Sequence, residues 1–333
     1  MGNDERRKDT APASRKLFTR RRVLKGAGIV AGAGALGIGG LFGYDRYRRF
    51  GRKAEASVAD HRVELPATAP RMVIARGLDP KRSVQAAVER LGGMSLFVGP
   101  ADVVVVKPNI GWDRTAEQGA NTHPEVVAEV VRLCREARAG RVIVCDCPVS
   151  NARKAFERSG ILAAATQAGA EVILPEESRY RMVHVSQRLG TWDVLDPFVL
   201  ATKIINVPVA KHHSLTGVTC GLKNWFGVTA VQRMMLHQDV QQAIAELAAL
   251  MRPTLTIVDA SRVLMDNGPA GGNPNDVKPV RAIAAGVDPV ALDAWAVHLF
   301  PKQEQPPSLR YAAEMGLGRL DYVALAPVEI LSG

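Results

Sequence analysis

Beyond residue 70, short apolar runs alternate with segments whose apolar residues recur at helical spacing. Asp102–Lys107 holds four consecutive valines, the mark of a strand buried on both faces. Met72–Ala75, Arg141–Cys145, Glu171–Leu174, Lys203–Val207, Thr254–Asp259 and Val280–Ala285 read as further strands. Pro124–Ala137 carries Val126, Val127, Val130, Val131, Leu133 and Cys134 on one helical face, with a proline in its first turn. Lys81–Leu91, Gln238–Met251 and Pro289–Leu299 are likewise predicted helices, and Ala152–Ala168 is one that breaks near Ser159-Gly160. Residues 176–200 show no clear period and are expected to form a small irregular excursion. The β-α-β rhythm predicts an α/β fold: a doubly wound, mostly parallel sheet with helices on both faces, in one large domain over 71–333.

The first 56 residues follow another logic. Arg20 and Arg21 open Arg20-Arg21-Arg22-Val23-Leu24-Lys25, which fits a twin-arginine export signal, and Gly26–Tyr44 is a weakly apolar, glycine-rich run without charge. This segment is expected to meet the Tat translocon, to send the chain to the periplasm or the outer face of the membrane, and either to be removed or to persist as an anchor. Membrane contact is expected only through an uncleaved leader. Ala54-Glu55-Ala56 and Ser57-Val58-Ala59 are both small-x-small cleavage candidates, and residues 57–70 are expected to be a linker. Gly32-Ala33-Gly34-Ala35-Leu36-Gly37 spells the dinucleotide fingerprint, but arginines rather than a buried strand precede it, so NAD is not expected.

Charge changes the picture little. The leader holds 14 of the 43 basic and 5 of the 33 acidic residues, so +9 of the net +10 resides there. The folded part is near neutral, which argues against nucleic acid as a partner. Cys134, Cys145, Cys147 and Cys220 form no C-x-x-C pair. They are expected to be small buried core residues, with a disulfide from Cys134 to Cys145 or Cys147 as the alternative, and no iron–sulfur cluster is expected.

Candidate chemistry gathers where strands end. Lys107 and Asn109 follow the valine strand, and Asp146 follows Arg141–Cys145. Lys211, His212 and His213 follow Lys203–Val207, with Lys223 and Asn224 shortly after, and Asp259 ends Thr254–Asp259. Open α/β sheets bind ligands outside the carboxyl ends of their strands. Lys107, Lys211 and Lys223 with Asn109 and Asn224 suit the oxygens of a small carboxylate or phosphate. The competing expectation is that the lysines form structural ion pairs with Asp146, Asp259 and Asp293. His213 and His237 are the candidates for moving a proton, with His212 facing away. A divalent metal held by His123, Asp146 and Asp259 is an open alternative, although no local H-x-x-x-H spacing supports it. The Asp266–Pro274 loop, rich in glycine and proline, is either an anion-cradling nest of amides or a chain of tight turns.

These motifs carry a resemblance. Lys107-Pro108-Asn109, Asn206-Val207-Pro208 with Lys211 and His213, Leu222-Lys223-Asn224 with Gly227, His237, Val258-Asp259, Asn267-Gly268-Pro269 and Asp288–Asp293 together resemble the domain of unknown function 362 family over roughly residues 70–331. The resemblance implies a compact α/β domain with those polar residues gathered in one place, and it implies no particular reaction. Some members of that family carry an added ferredoxin-like domain whose cysteines this chain lacks. The expected function is an exported enzyme acting on a small anionic ligand, metal-assisted in one version. The alternative is a non-catalytic envelope protein that binds a ligand or assists redox assembly.

Overall fold

The computed structural model describes Met1, residues 55–229 and residues 233–333. The export signal expected around Arg20 and Arg21 lies outside the described residues. Residues Glu55–Gly333 cluster as one compact unit.

The elements in chain order begin with β1 (Met72–Arg76), α1 (Pro80–Arg90), β2 (Val103–Pro108), α2 (Pro124–Glu136) and β3 (Arg141–Cys145). The broken helix follows as α3 (Ala152–Arg158) and α4 (Ile161–Gln167), then β4 (Glu171–Ile173), β5 (Tyr180–Ser186), β6 (Gly190–Leu195) and α5 (Asp196–Leu200). Next come β7 (Lys203–Val207), β8 (Val209–His213), β9 (Gly217–Thr219), α6 (Gly221–Asn224) and α7 (Val240–Met251). The chain closes with β10 (Leu255–Leu264), β11 (Val277–Lys278), β12 (Ala282–Gly286), α8 (Pro289–Val297), α9 (Pro307–Glu314) and β13 (Val328–Leu331).

The central sheet runs β13-β1-β12-β10-β7-β2-β3-β4. From β10 to β4 every neighbouring pair is parallel. β12 runs antiparallel to both β10 and β1, so the mostly parallel sheet ends in a mixed edge. Alternation along the strands divides the core in two. Val104, Val106, Val142, Val144 and Ile205 pack with α1, α2, α3 and α4. Val105, Ile143, Ile204 and Val258 pack on the other face with α7, α8 and α9. Helices therefore cover both faces, as the valine run requires.

Three helices begin with a cap followed by proline. Asp79 accepts from the Lys81 amide at 2.8 Å, His123 Nδ1 from the Glu125 amide at 3.2 Å, and Asp288 from the Ala291 amide at 2.9 Å. Proline at the first helical position lacks a donor the helix would leave unmet anyway.

Two stretches differ from expectation. Residues 176–200 are ordered: β5 and β6 form an antiparallel hairpin, a separate two-stranded sheet that buries Tyr180 and Trp192. Charged residues between its apolar positions hide the two-residue period. Residues 57–70 do not hang loose as a linker throughout. His61 is buried, its Nδ1 lies 3.1 Å from the Thr202 carbonyl, and its own carbonyl accepts from the Thr254 hydroxyl at 2.8 Å. That contact pins the segment where β7 and β10 begin.

Asp288 also accepts from the Arg319 amide at 3.0 Å, so it joins α8 to the loop after α9. Asp288→Ala is expected to lower unfolding free energy by about 1–2 kcal/mol. A urea midpoint that falls at unchanged slope is the readout.

Candidate functional site

The site is built on a buried ion pair. Lys107, near the end of β2, is fully inaccessible to solvent. Its ammonium donates to Asp146 Oδ1 at 2.8 Å, to Asn224 Oδ1 at 3.1 Å and to the Pro108 carbonyl at 2.9 Å. Asp146, just past β3, also accepts from the Cys147 amide at 2.9 Å and from the Ile110 amide at 2.6 Å. Asn224 donates to Asn206 Oδ1 at 2.8 Å and to the Lys107 carbonyl at 3.2 Å. One polar network thus ties the ends of β2, β3 and β7 to the α6 turn. Gly227 lies against it. A Cβ at that position would overlap Asp146 Oδ1 and would sit 2.8 Å from Lys107 Nζ.

The β8–β9 hairpin supplies one wall. Lys211 and His213 alternate onto the same strand face, and Thr219 pairs with Lys211 across the hairpin. His212 faces away, where its Nδ1 accepts from the Gly268 amide at 3.1 Å. Lys211 is buried, and its ammonium donates to Asn109 Oδ1 at 2.9 Å and to the Ala120 carbonyl. Both partners are neutral oxygens. Burial, aided by the charge of Lys223, pushes the Lys211 amine down to about 7. The same two causes lower His213 to about 3. His213 Nδ1 accepts from the Leu215 amide at 3.1 Å, which puts the proton of the neutral ring on Nε2. Thr219 Oγ1 is buried and finds no hydrogen-bond partner among the described residues.

The α6 turn forms the opposite wall. Lys223 Nζ stands 4.6 Å from the centre of the Phe226 ring, and His237 meets that ring edge-on at 5.8 Å. Asp293 of α8 fixes the start of the turn by accepting from the Gly221 and Leu222 amides at 2.7 and 3.0 Å. Burial raises Asp293 to about 6 against the pull of those amides.

These walls enclose a cavity of about 440 Å3. Asn109, Lys211, Lys223, His213 and His237 all line it, as does Asp146. Lys107 and Asn224 lie beneath as its support. The expected metal trio does not assemble. Both Asp146 oxygens are held by Lys107 and two amides. Asp259 is bound by Arg262 at 3.1 Å, by Ser261 and by the His123 amide at 2.7 Å. Among the described residues, no three His, Cys, Asp or Glu side chains converge on a point where a metal ion could sit. The ion-pair expectation holds for Lys107 with Asp146, whereas Asp259 pairs with Arg262 and Asp293 caps a turn. Two amides of the glycine-rich loop are already engaged, that of Gly268 by His212 and that of Gly271 by the Asn267 carbonyl. Among the described residues no disulfide joins Cys134, Cys145, Cys147 or Cys220, and all four are buried.

Sequence reasoning missed part of the wall. Trp112, Val149 and Pro269 line the cavity, as do Thr219 and Cys147. Trp112 had a local signal, an aromatic three residues past Asn109 at the same strand end. Thr219 lay in the same dense polar stretch as Lys211, and hairpin register sets it opposite that lysine.

The two buried lysines separate experimentally. Lys107→Met leaves Asp146 charged without its cation and is expected to cost about 3–5 kcal/mol of stability. Lys211→Met removes an ammonium held only by neutral oxygens and is expected to cost no more than about 1–2 kcal/mol. Urea unfolding followed by tryptophan fluorescence checks the order.

A family model described as Domain of unknown function (DUF362) matches residues 104–298. The residues from Lys107 to Asp293 that carry the sequence resemblance all fall inside that span. The thylakoid-associated protein sll1697 of Synechocystis sp. is 30% identical over 220 residues, covering 63% of this chain and 67% of that protein. The lactate racemase apoprotein from Thermoanaerobacterium thermosaccharolyticum aligns with a TM-score of 0.44 at 12% identity, over 72% of this chain and 61% of that one. The chain belongs to the DUF362 family.

Proposed function

We propose that this chain is an exported enzyme whose cavity binds a small anion, a carboxylate or phosphate, and that Lys211 exchanges a proton with it. One observation carries the reading: a buried ammonium, held by Asn109 and Ala120 through neutral oxygens, lies in a cavity that a second lysine also lines. An amine near 7 is close to half-protonated at neutral pH, which suits a general acid or base. In this reading His213 contributes a neutral Nε2–H donor, and the partnerless Thr219 hydroxyl supplies another. Asn109 orients the ligand, because its amide is already fixed between Lys211 and Asn224. Lys223 adds the second positive charge, and His237 lies beside it as a further proton carrier.

Export rests on the arginine-rich leader and is part of the proposal. The relative is named as thylakoid-associated, which agrees with work at a membrane. Among the described residues no helix is long and apolar enough to cross one. The mass of the protein recovered from its own compartment tests whether residues 1–56 stay attached. Elemental analysis of the same material tests the version in which a divalent ion supplies part of the positive charge.

The pH dependence follows from Lys211. Its folded value, about 7, lies below the ordinary lysine value of 10.5. Between those limits the unfolded chain holds a proton that the folded chain has lost, so stability of the empty protein rises with pH across that window. Anion binding favours the charged amine and runs the other way. Affinity for acetate and for sulfate, whose charges are constant above pH 6, is expected to fall by up to about tenfold per pH unit above pH 7. Calorimetric titration at several pH values reads the slope. Lys211→Met is expected to remove the slope and most of the affinity. A pH-independent affinity, or unchanged binding in that variant, would overturn the proposal.

A further inference from the structure

The cavity has a second character that small anions do not explain. Cations and donors line it from the hairpin, at Lys211, His213 and Thr219, from the α6 turn, at Lys223, and from the loop after β2, at Asn109. Beside these and the polar Asp146, Ser214 and His237, the wall has an apolar part from Trp112, Cys147, Pro148, Val149, Phe226 and Pro269. A volume of about 440 Å3 far exceeds what a bare carboxylate or phosphate fills, and it lies within the ~300–1,000 Å3 typical of pockets for larger organic ligands. The apolar surface continues outward. Val149 is 58% exposed, and Leu215 and Met235 are each 54% exposed. Leu215 directly follows the lining residue Ser214, and Met235 lies two residues before the lining residue His237. Val149 thus belongs to the wall itself, and Leu215 and Met235 are close along the chain to residues that do. Exposed apolar groups that gather around one opening mark a binding surface, whereas singly scattered ones need no explanation.

We propose that the ligand is an amphiphilic anion: an anionic head seated at Lys211 and Lys223, and an apolar body that runs along Trp112 and Phe226 and leaves past Val149, Leu215 and Met235. This deepens the anion-binding reading and rests on it. The fold explains the arrangement. The β8–β9 hairpin brings Lys211, His213 and Thr219 to the lining, and the loops after β2 and β3 bring Trp112 and Val149 to it. Those loops are fastened together, since the Val149 and Ser150 amides both donate to the Gly111 carbonyl. Trp112 is fixed in turn, with its amide donating to Asn121 Oδ1 at 3.1 Å and its carbonyl accepting from Asn121 Nδ2 at 2.9 Å. The apolar wall is therefore preorganised, which lowers the ordering cost of binding. A head group alone would meet the cations and leave this wall wet. A ligand with an apolar body drives water from both.

Straight-chain alkanoates from acetate to octanoate, titrated calorimetrically into the full chain at pH 6.5, test the idea. The expected result is an affinity that tightens about threefold to fourfold per added methylene. Sulfate, a charged head with no apolar body, is expected to displace octanoate competitively. Leu215→Ser and Met235→Ser alter exposed side chains, so folding is not at risk. They are expected to flatten the last steps of the series and to leave acetate affinity unchanged. If acetate binds but the series is flat, or if octanoate binds without competition from sulfate, the amphiphile proposal falls and the head-group reading stands. If neither alkanoates nor sulfate bind, the anion reading itself falls, and this inference with it.

Discussion

The contact between Lys107 and Asp146 is the constraint that organises the molecule's polar side. Neither charge reaches solvent, and an ammonium without a counter-charge in that position would be prohibitive. Satisfying it recruits the residues around it. Asp146 must lie at the end of β3 to meet a lysine from β2, Asn224 must fold back from α6, and Asn206 must hold Asn224 from β7. The pair also sets the charge of the cavity above. Asp146 lines that cavity and its charge pulls against the shift, but burial and the charge of Lys223 outweigh it at Lys211. That is why one lysine is a structural ion and the other, in a similarly buried place, is left with neutral partners and a lowered affinity for its proton.

Several residues that look catalytic by type are scaffold by geometry. Asp259 draws in Arg262 and the His123 amide, and Arg262 also reaches the Asn121 carbonyl at 3.1 Å. The loop so held carries Thr122, which binds the Asn109 amide and the Val207 carbonyl, and Ala120, which binds Lys211. Asp293 does the same for the turn that bears Lys223. The recurring device is a buried carboxylate that orders backbone amides, and the ordered backbone then aims a lysine or an asparagine.

This device explains what could be read from the sequence. The valine strand, the helical face of Pro124–Ala137 and the interruption at Ser159-Gly160 follow local periods, and β2, α2, α3 and α4 appear accordingly. Lys107, Asn109, Lys211, Lys223, His213 and His237 were legible as a group because each follows a strand end or the turn beyond it. Their division into floor and wall was not legible, because it depends on which lysine finds the carboxylate. Strand direction at the β1–β12–β10 edge was hidden for a similar reason: periodicity shows that a strand exists but not which way its neighbour runs. Val209–His213 read as the approach to a polar loop, since its cations obscure the alternation that makes it a strand. His123 and Asp259 were offered as metal ligands on side-chain type alone, which says nothing about the amides nearby; in the structure Asp259 holds the His123 amide and Arg262.

Gly227 carries a consequence for how this protein can vary. No side chain fits there while Asp146 and Lys107 keep their places. Exchanging the ion pair for apolar groups of equal bulk would leave the space as crowded as before. Only shortening the residue at 146 makes room. The fitness effect of any substitution at 227 is therefore conditional on position 146, and the two sites form an epistatic unit that single-site scanning would record as two unrelated intolerant positions.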